Sequence, residues 1–303
     1  MNKPGALSSG SLIERAAELY GFGFPAVTPL VLNEAAEAPR AGEAAAALPP
    51  AELRAEPKPL PRRTLSSGPR AEVDRDKLRA AGFMDPASPV GALAEELRIV
   101  KRQLLATAAA SAKAHTILIC SAKPDEGKTF CAVNLALSLA GERDVEVLLV
   151  DADFPKPEVL SILGIEAEAG LVDALADPAI DPESLIVRTD IDGLSVLPAG
   201  RQMTDVTELL ASERTREIIA GLARPNRIIL FDSPPALMAS PATVLATHAG
   251  QLLMVVRADR TTEADLREAV ALLSGCDKVS LLLNGTGFAA SGHRFGSYYG
   301  YGQ

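Results

Sequence analysis

Residues 121–130 read SAKPDEGKTF, and they follow directly on a short apolar run, TILIC, at 116–120. Gly127, Lys128 and Thr129 match the end of the phosphate-loop pattern G-x-x-x-x-G-K-[ST], whereas Ala122 replaces its first glycine. Such a loop must turn backbone N–H groups toward phosphates, extend a lysine to the outer phosphate oxygens, and bring a hydroxyl to a cation at a helix N-terminus. The order supplies that setting: an apolar strand, then the loop, then a helical pattern over Thr129–Ala140. The stretch therefore predicts a nucleotide-phosphate site at the carboxyl edge of a sheet.

Outward from the loop, apolar runs recur as strand candidates: VEVLLV (145–150), LSVLP (194–198), RIILF (227–231), QLLMVV (251–256) and VSLLLN (279–284). They alternate with helical patterns at Val206–Ala211, Glu213–Leu222, Pro241–His248 and Glu263–Ser274. Short buried strands separated by helices imply an α/β fold, a mostly parallel sheet with helices on both faces. Two of these strands end in acids, placing Asp151 and Asp153 after VEVLLV and Asp232 after RIILF. Ligands of open α/β sheets bind at that edge, so three carboxylates are expected beside Thr129, a donor set suited to Mg²⁺. Asn284 closes the last strand. Its amide suits an adenine edge, and Asn-Gly is equally a turn signal.

Before residue 90 the composition changes. More than half of the 22 prolines lie there, in stretches such as EAAEAPRAGEAAAALPPAELRAEPKPLPRR. A segment of this kind reads as a largely disordered Pro/Ala-rich region. Two short helices interrupt it, at about 11–20 (Ser11 capping, Glu14 three residues later) and at 74–82, where DRDKLRAAG ends on a glycine. Helices this short are marginal alone and are expected to dock on the main domain or on a partner. The expected organisation is thus 1–89 flexible, 90–285 the sheet domain and 286–303 a Gly/Tyr-rich tail. That tail ends FGSYYGYGQ and carries three of the four tyrosines, Tyr298, Tyr299 and Tyr301. Few aliphatic residues accompany its glycines, so the rings are expected to be offered to something rather than packed.

A net charge of −9 argues against a nucleic-acid binder. Three cysteines without metal spacing (Cys120, Cys131, Cys276) read as small buried hydrophobes in a reducing cytoplasm. MNKPGALSSG lacks a signal core, and the apolar runs are too short for a bilayer span, so membrane association is expected only through a partner.

The three motifs SAKPDEGKT, VLLVDADFPKP and IILFDSPP, followed by a tyrosine-rich tail, resemble the bacterial tyrosine kinases of exopolysaccharide biosynthesis (BY-kinases), in the MinD/ParA branch of P-loop ATPases. SLIERAAEL, AEELRIVKRQLL and DKLRAAGFMDP resemble the exosortase-associated (PEP-CTERM) autokinase subgroup. The resemblance implies an ATP- and Mg²⁺-dependent tyrosine autokinase. Lys128 would reach the β/γ-phosphates, Thr129, Asp153 and Asp232 the metal, Asp151 the incoming tyrosine hydroxyl, and Asn284 the adenine. The nucleotide-binding run extends from Lys123, the place of the MinD signature lysine, through Pro124, Asp125, Glu126, Gly127, Lys128 and Thr129 to Phe130. Glu95, Arg98 and Lys101 match a Glu-x-x-Arg-x-x-Arg ring-forming motif with lysine in the last place. Arg102 stands adjacent, and Glu95, Arg98 and Arg102 share one helix face. The activator implied is a separate membrane-embedded polysaccharide chain-length protein.

Asp125 stands where the family usually has glycine, and with Ala122 it puts ATP affinity in question. From Asn284 to Tyr298, a coil of fourteen residues spans about 20 Å r.m.s. and roughly 50 Å at full stretch, within reach of its own or a neighbouring site. A MinD/ParA-like switch without kinase activity is the alternative, and a scaffold with a degenerate site is a third. The tail favours the kinase, because a membrane-targeting switch is expected to end in a basic amphipathic helix.

Overall fold

A computed structural model describes residues 68–85, 87 and 92–285. The helix expected at about 11–20 and the tail tyrosines lie outside them. An eight-stranded sheet forms from β1 (Arg70–Ala71), β2 (Thr116–Ser121), β3 (Glu146–Asp151), β4 (Val187–Thr189), β5 (Leu194–Leu197), β6 (Arg227–Asp232), β7 (Gln251–Arg257) and β8 (Val279–Asn284). Their order is β1-β4-β5-β3-β6-β2-β7-β8, and every pairing is parallel except β4 with β5. The six strands read from apolar runs all form. The added β1 and β4 are two and three residues long, too short to carry a periodic signal.

The apolar alternation of a doubly covered sheet sends successive side chains to two cores. Ile117, Ile119, Leu253 and Val255 face one core, with α2 (Ala92–Ala108) and α3 (Lys128–Ala140). Leu118, Cys120, Leu252 and Met254 face the other. It is closed by α5 (Leu171–Ala176), α6 (Val206–Leu210), α7 (Glu213–Leu222), α8 (Pro241–His248) and α9 (Glu263–Leu272). The remaining helices are α1 (Arg75–Ala80) and α4 (Val159–Leu163), both on the α3 side. α3 lies between sheet and α2, which explains why KTFCAVNLALSLA carries no polar face; all but one of its residues are buried. The three cysteines are free and buried. β8, read from VSLLLN as a buried strand, is instead an edge: Val279, Leu281 and Leu283 stand 38%, 59% and 58% exposed.

The sheet domain starts ahead of residue 90. β1 extends the sheet beside β4, and Leu78 on α1 is fully buried. Asp74 caps α1 by accepting the Lys77 N–H, and the Asp74 N–H donates to the Leu163 carbonyl at 2.9 Å. Asp190 accepts the Val73 N–H and pairs with Arg75, both at 2.8 Å. Gly164 ends α4 with a left-handed φ of +70°, and a Cβ there would stand 2.5 Å from the Asp74 Cβ. The helix expected at 74–82 is therefore docked on the sheet domain, and its glycine stop, Gly82, takes φ +80°. Leu78→Ala is expected to destabilise the fold by about 2–5 kcal/mol in a urea titration; an unchanged midpoint would mean that the arm formed by residues 68–85, with β1 and α1, contributes nothing.

Candidate functional site

The loop after β2 wraps over the first turn of α3. Gly127 caps that helix at φ +91° and Asp125 takes φ +60°, the one positive φ outside glycine among the described residues. Ala122, in the place of the pattern's first glycine, is fully buried without a positive φ, so its methyl fits. Asp125 adopts the positive φ that its place in a usual glycine position requires, a conformation that aspartate tolerates better than most residues. These turns lie at the N-terminus of α3, the partially positive end whose free backbone N–H groups favour an anion.

Lys128 is the centre of the site. Its Nζ pairs with Asp153, lies 3.1 Å from the Thr129 hydroxyl and stands 3.8 Å from Asp232. Burial opposes its charge, but Asp232 and Asp153 outweigh that and hold its pKa above the ordinary lysine value. Asp151 and Asp232 sit side by side because β3 and β6 pair with those two residues in register. Both Asp232 carboxyl oxygens are buried without a hydrogen-bond partner. Burial pushes this carboxyl up to about 6 against the pull of Lys128 and of the nearby Thr129 hydroxyl, which lies beyond close hydrogen-bond geometry. Asp151 is pushed up to about 7 by burial and by Asp232, although it accepts the Asp153 N–H at 3.3 Å and the Val159 N–H at 3.1 Å. The thiols of Cys120 and Cys131, raised by burial to about 11 and about 12, remain protonated neighbours.

A buried carboxylate without a close donor, a hydroxyl and an excess of acids over bases suit a hard divalent cation. Among the described residues no three His, Cys, Asp or Glu side chains stand close enough to cage one. That donor set fits Mg²⁺, which keeps waters and takes few protein ligands. A cleft of about 480 Å³ opens beside Lys128, walled by Phe83, Phe130, Pro155, Pro234 and Met238. Phe83 comes from the arm and lies 5.1 Å, centroid to centroid, from Phe130. Nothing in the local sequence around Phe83 announced this position; only the docking of the arm brings it there.

Of the other expected site residues, Pro124 and Asp125 line the same cleft, and Glu126 is buried. Lys123 reaches away to Asp265 on α9, 2.6 Å from Nζ to carboxylate. Asn284 donates its Nδ2–H to the Glu126 carbonyl at 2.9 Å, so it touches the loop itself. On α2, Glu95 and Arg98 pair with each other, and Arg102 is 64% exposed. Lys101, grouped with them by the motif, turns inward, donating to the Ser138 carbonyl at 2.9 Å and pairing with Glu142 at 2.8 Å. It ties α2 to α3, and the charged face of α2 consists of Glu95, Arg98 and Arg102. Tyr298, Tyr299 and Tyr301 lie outside the described residues.

Comparison with known proteins bears on the fold and the family. The sequence pattern of the AAA domain family matches residues 114–274. The tyrosine-protein kinase YwqD of Bacillus subtilis is 30% identical over 185 residues, 61% of this chain and 77% of that protein. The tyrosine-protein kinase wzc of Salmonella typhimurium is 30% identical over 192 residues, 63% of this chain. This chain spans 26% of the length of the Salmonella protein. The solved kinase domain of the Escherichia coli tyrosine kinase ETK superposes with a TM-score of 0.53 at 26% identity, over 62% of this chain and 72% of that one.

The raised carboxyls have a consequence for stability in the protein free of metal and nucleotide. A carboxyl whose folded pKa exceeds its unfolded value stabilises fully below the unfolded value and loses that contribution as pH rises through the folded one. Asp232 and Asp151 place that window between the unfolded value of 3.8 and about 6 and 7. Stability is expected to decline by up to about 1.4 kcal/mol per pH unit for each carboxyl, from pH 5 to about 6 for Asp232 and to about 7 for Asp151, and Asp232→Asn to flatten the decline, in urea titrations across that range.

Proposed function

This chain belongs to the AAA domain family and to the bacterial tyrosine kinases, and from that premise we propose that it is an ATP- and Mg²⁺-dependent tyrosine autokinase acting on its own Tyr298, Tyr299 and Tyr301. The observation that carries the proposal is the placement of Lys128 on a left-handed glycine turn, in reach of Thr129, Asp153 and Asp232 at one sheet edge. On this reading the loop amides take the phosphates, and Lys128 exchanges Asp153 for the β/γ oxygens. Thr129, Asp153 and Asp232 would hold Mg²⁺, which would supply charge neutralisation on the phosphates. Asp151 receives the proton of the tyrosine hydroxyl. The phenolic oxygen forms a bond to the γ-phosphorus, the bond from that phosphorus to the bridging oxygen breaks, and ADP leaves. Such transfer needs positioning and electrostatics rather than covalent help from the protein. The apolar walls of the cleft, Phe83, Phe130 and Met238, suit an aromatic acceptor better than a water molecule.

Within the same reading, the half-buried Glu95 and the exposed Arg98 and Arg102 serve contacts between copies in a ring, and phosphorylation of the tail adds charge that loosens it. The exosortase-associated subgroup, a role in exopolysaccharide polymerisation or export, and activation by a membrane-embedded chain-length protein complete the proposal. Among the described residues no helix is long and apolar enough to cross a membrane; attachment at the inner face of the membrane would run through that partner.

Incubation with γ-labelled ATP tests the assignment. Wild type is expected to gain phosphotyrosine. Lys128→Met should lose at least about a hundredfold in rate, and a triple Tyr298/Tyr299/Tyr301→Phe variant should lose the label. Label persisting on the triple variant moves the acceptor elsewhere, and ATP hydrolysis with no phosphotyrosine, activator present, points to a MinD/ParA-like switch.

A further inference from the structure

Glu126 poses a problem that the phosphate-loop pattern does not explain. Its side chain is 1% exposed inside a loop built to receive a polyanion. A buried carboxylate there repels phosphates and requires strong partners to remain buried. Its hydrogen-bond partners carry no charge. One carboxylate oxygen accepts the Lys123 N–H at 2.9 Å, across the loop, and the other accepts the hydroxyl of Thr261. Thr261 belongs to the segment between β7 and α9, and its oxygen accepts the Arg257 N–H at 2.8 Å, which fixes its position.

Two further contacts and one close approach tie the loop to the start of α9 and to the end of β8. The Glu126 carbonyl accepts from Asn284 at the end of β8, at 2.9 Å. Lys123 Nζ pairs with Asp265, the residue that closes the capping box of α9 with Thr262. Gly127, the next residue of the loop, has no room for a side chain, since a Cβ would stand 2.1 Å from Asn284 Nδ2. Both flanks of the left-handed turn at Asp125 are thus held from outside the loop, by residues that follow β7 and end β8.

We propose that Glu126 and Thr261 are positioning residues forming a latch, through which the segment after β7 sets the shape of the phosphate loop for nucleotide. Neither touches the reacting atoms. The carboxylate holds the Lys123 N–H and the Thr261 hydroxyl together, so a change at either end is felt at the loop amides. The chemistry specifies which replacements keep it. A glutamine at 126 retains an acceptor for Lys123 and offers its amide N–H to the Thr261 oxygen. A serine at 261 retains the hydroxyl. Valine at 261 keeps the volume and loses the link, leaving a buried carboxylate with one donor.

This inference rests on nucleotide binding at the loop, as proposed above, and is read from binding rather than from phosphotransfer, so it stands or falls separately from the kinase assignment. The full chain is titrated with N-methylanthraniloyl-ATP and Mg²⁺ by fluorescence, with melting temperature followed in parallel. Thr261→Val and Glu126→Ala are each expected to weaken binding about tenfold, and the double variant by about the same factor rather than about a hundredfold. Thr261→Ser and Glu126→Gln should stay within about threefold of wild type. Multiplying effects in the double variant, unchanged or tighter binding in Glu126→Ala, or an equal loss in Thr261→Ser would overturn the latch. Wild type that binds no nucleotide would overturn the site reading and the latch with it.

Discussion

A buried ammonium facing an excess of buried acid is the constraint on which the site depends. Lys128 stands against Asp153 and Asp232, with Asp151 held beside Asp232 by strand register. Charges are expensive to bury without compensation, and one cation does not balance three carboxylates. The protein on its own meets this by raising the pKa values of Asp232 and Asp151, to about 6 and about 7. A divalent cation and a polyanionic substrate would complete the balance differently, adding positive charge for the acids and drawing Lys128 toward phosphate. One ammonium set against three buried acids is an unbalanced group of charges, which is the physical basis for reading it as a binding site rather than as a structural ion pair.

The rest of the fold holds these groups at one edge. Parallel pairing of β2, β3 and β6 brings the phosphate loop and both acid-bearing strand ends to the same rim. Fully buried strands on both sides of that rim keep the register from slipping, because a one-residue shift would turn every side chain to the wrong core. The arm from Gly68 to Asp85 belongs to this frame. Its strand widens the sheet, its helix seals α4, and Phe83 reaches the wall of the cleft.

What the chain conveyed locally was read correctly where a local pattern exists. Gly-Lys-Thr after an apolar run and apolar alternation gave the sheet and the turn into α3, and acids at strand ends put Asp151 and Asp232 at its edge. Readings failed where the outcome depended on a distant neighbour. VSLLLN has the composition of a central strand, yet nothing pairs with its outer side among the described residues, so its leucines stand exposed. Lys101 falls in a motif with Glu95 and Arg98, but its position on the α2 helix turns it into the α3 seam.

The sequence alone, then, determined the fold class and the chemistry gathered at the sheet edge, because both are written in spacings of a few residues that secondary structure converts directly into geometry. Tertiary structure decided the rest: that Asp151 and Asp232 adjoin, that Asn284 grips the phosphate loop, and that Glu126 meets Thr261, 135 residues onward in the chain. Such contacts follow from strand order and crossover connections, which bring remote segments side by side without leaving a mark in either one.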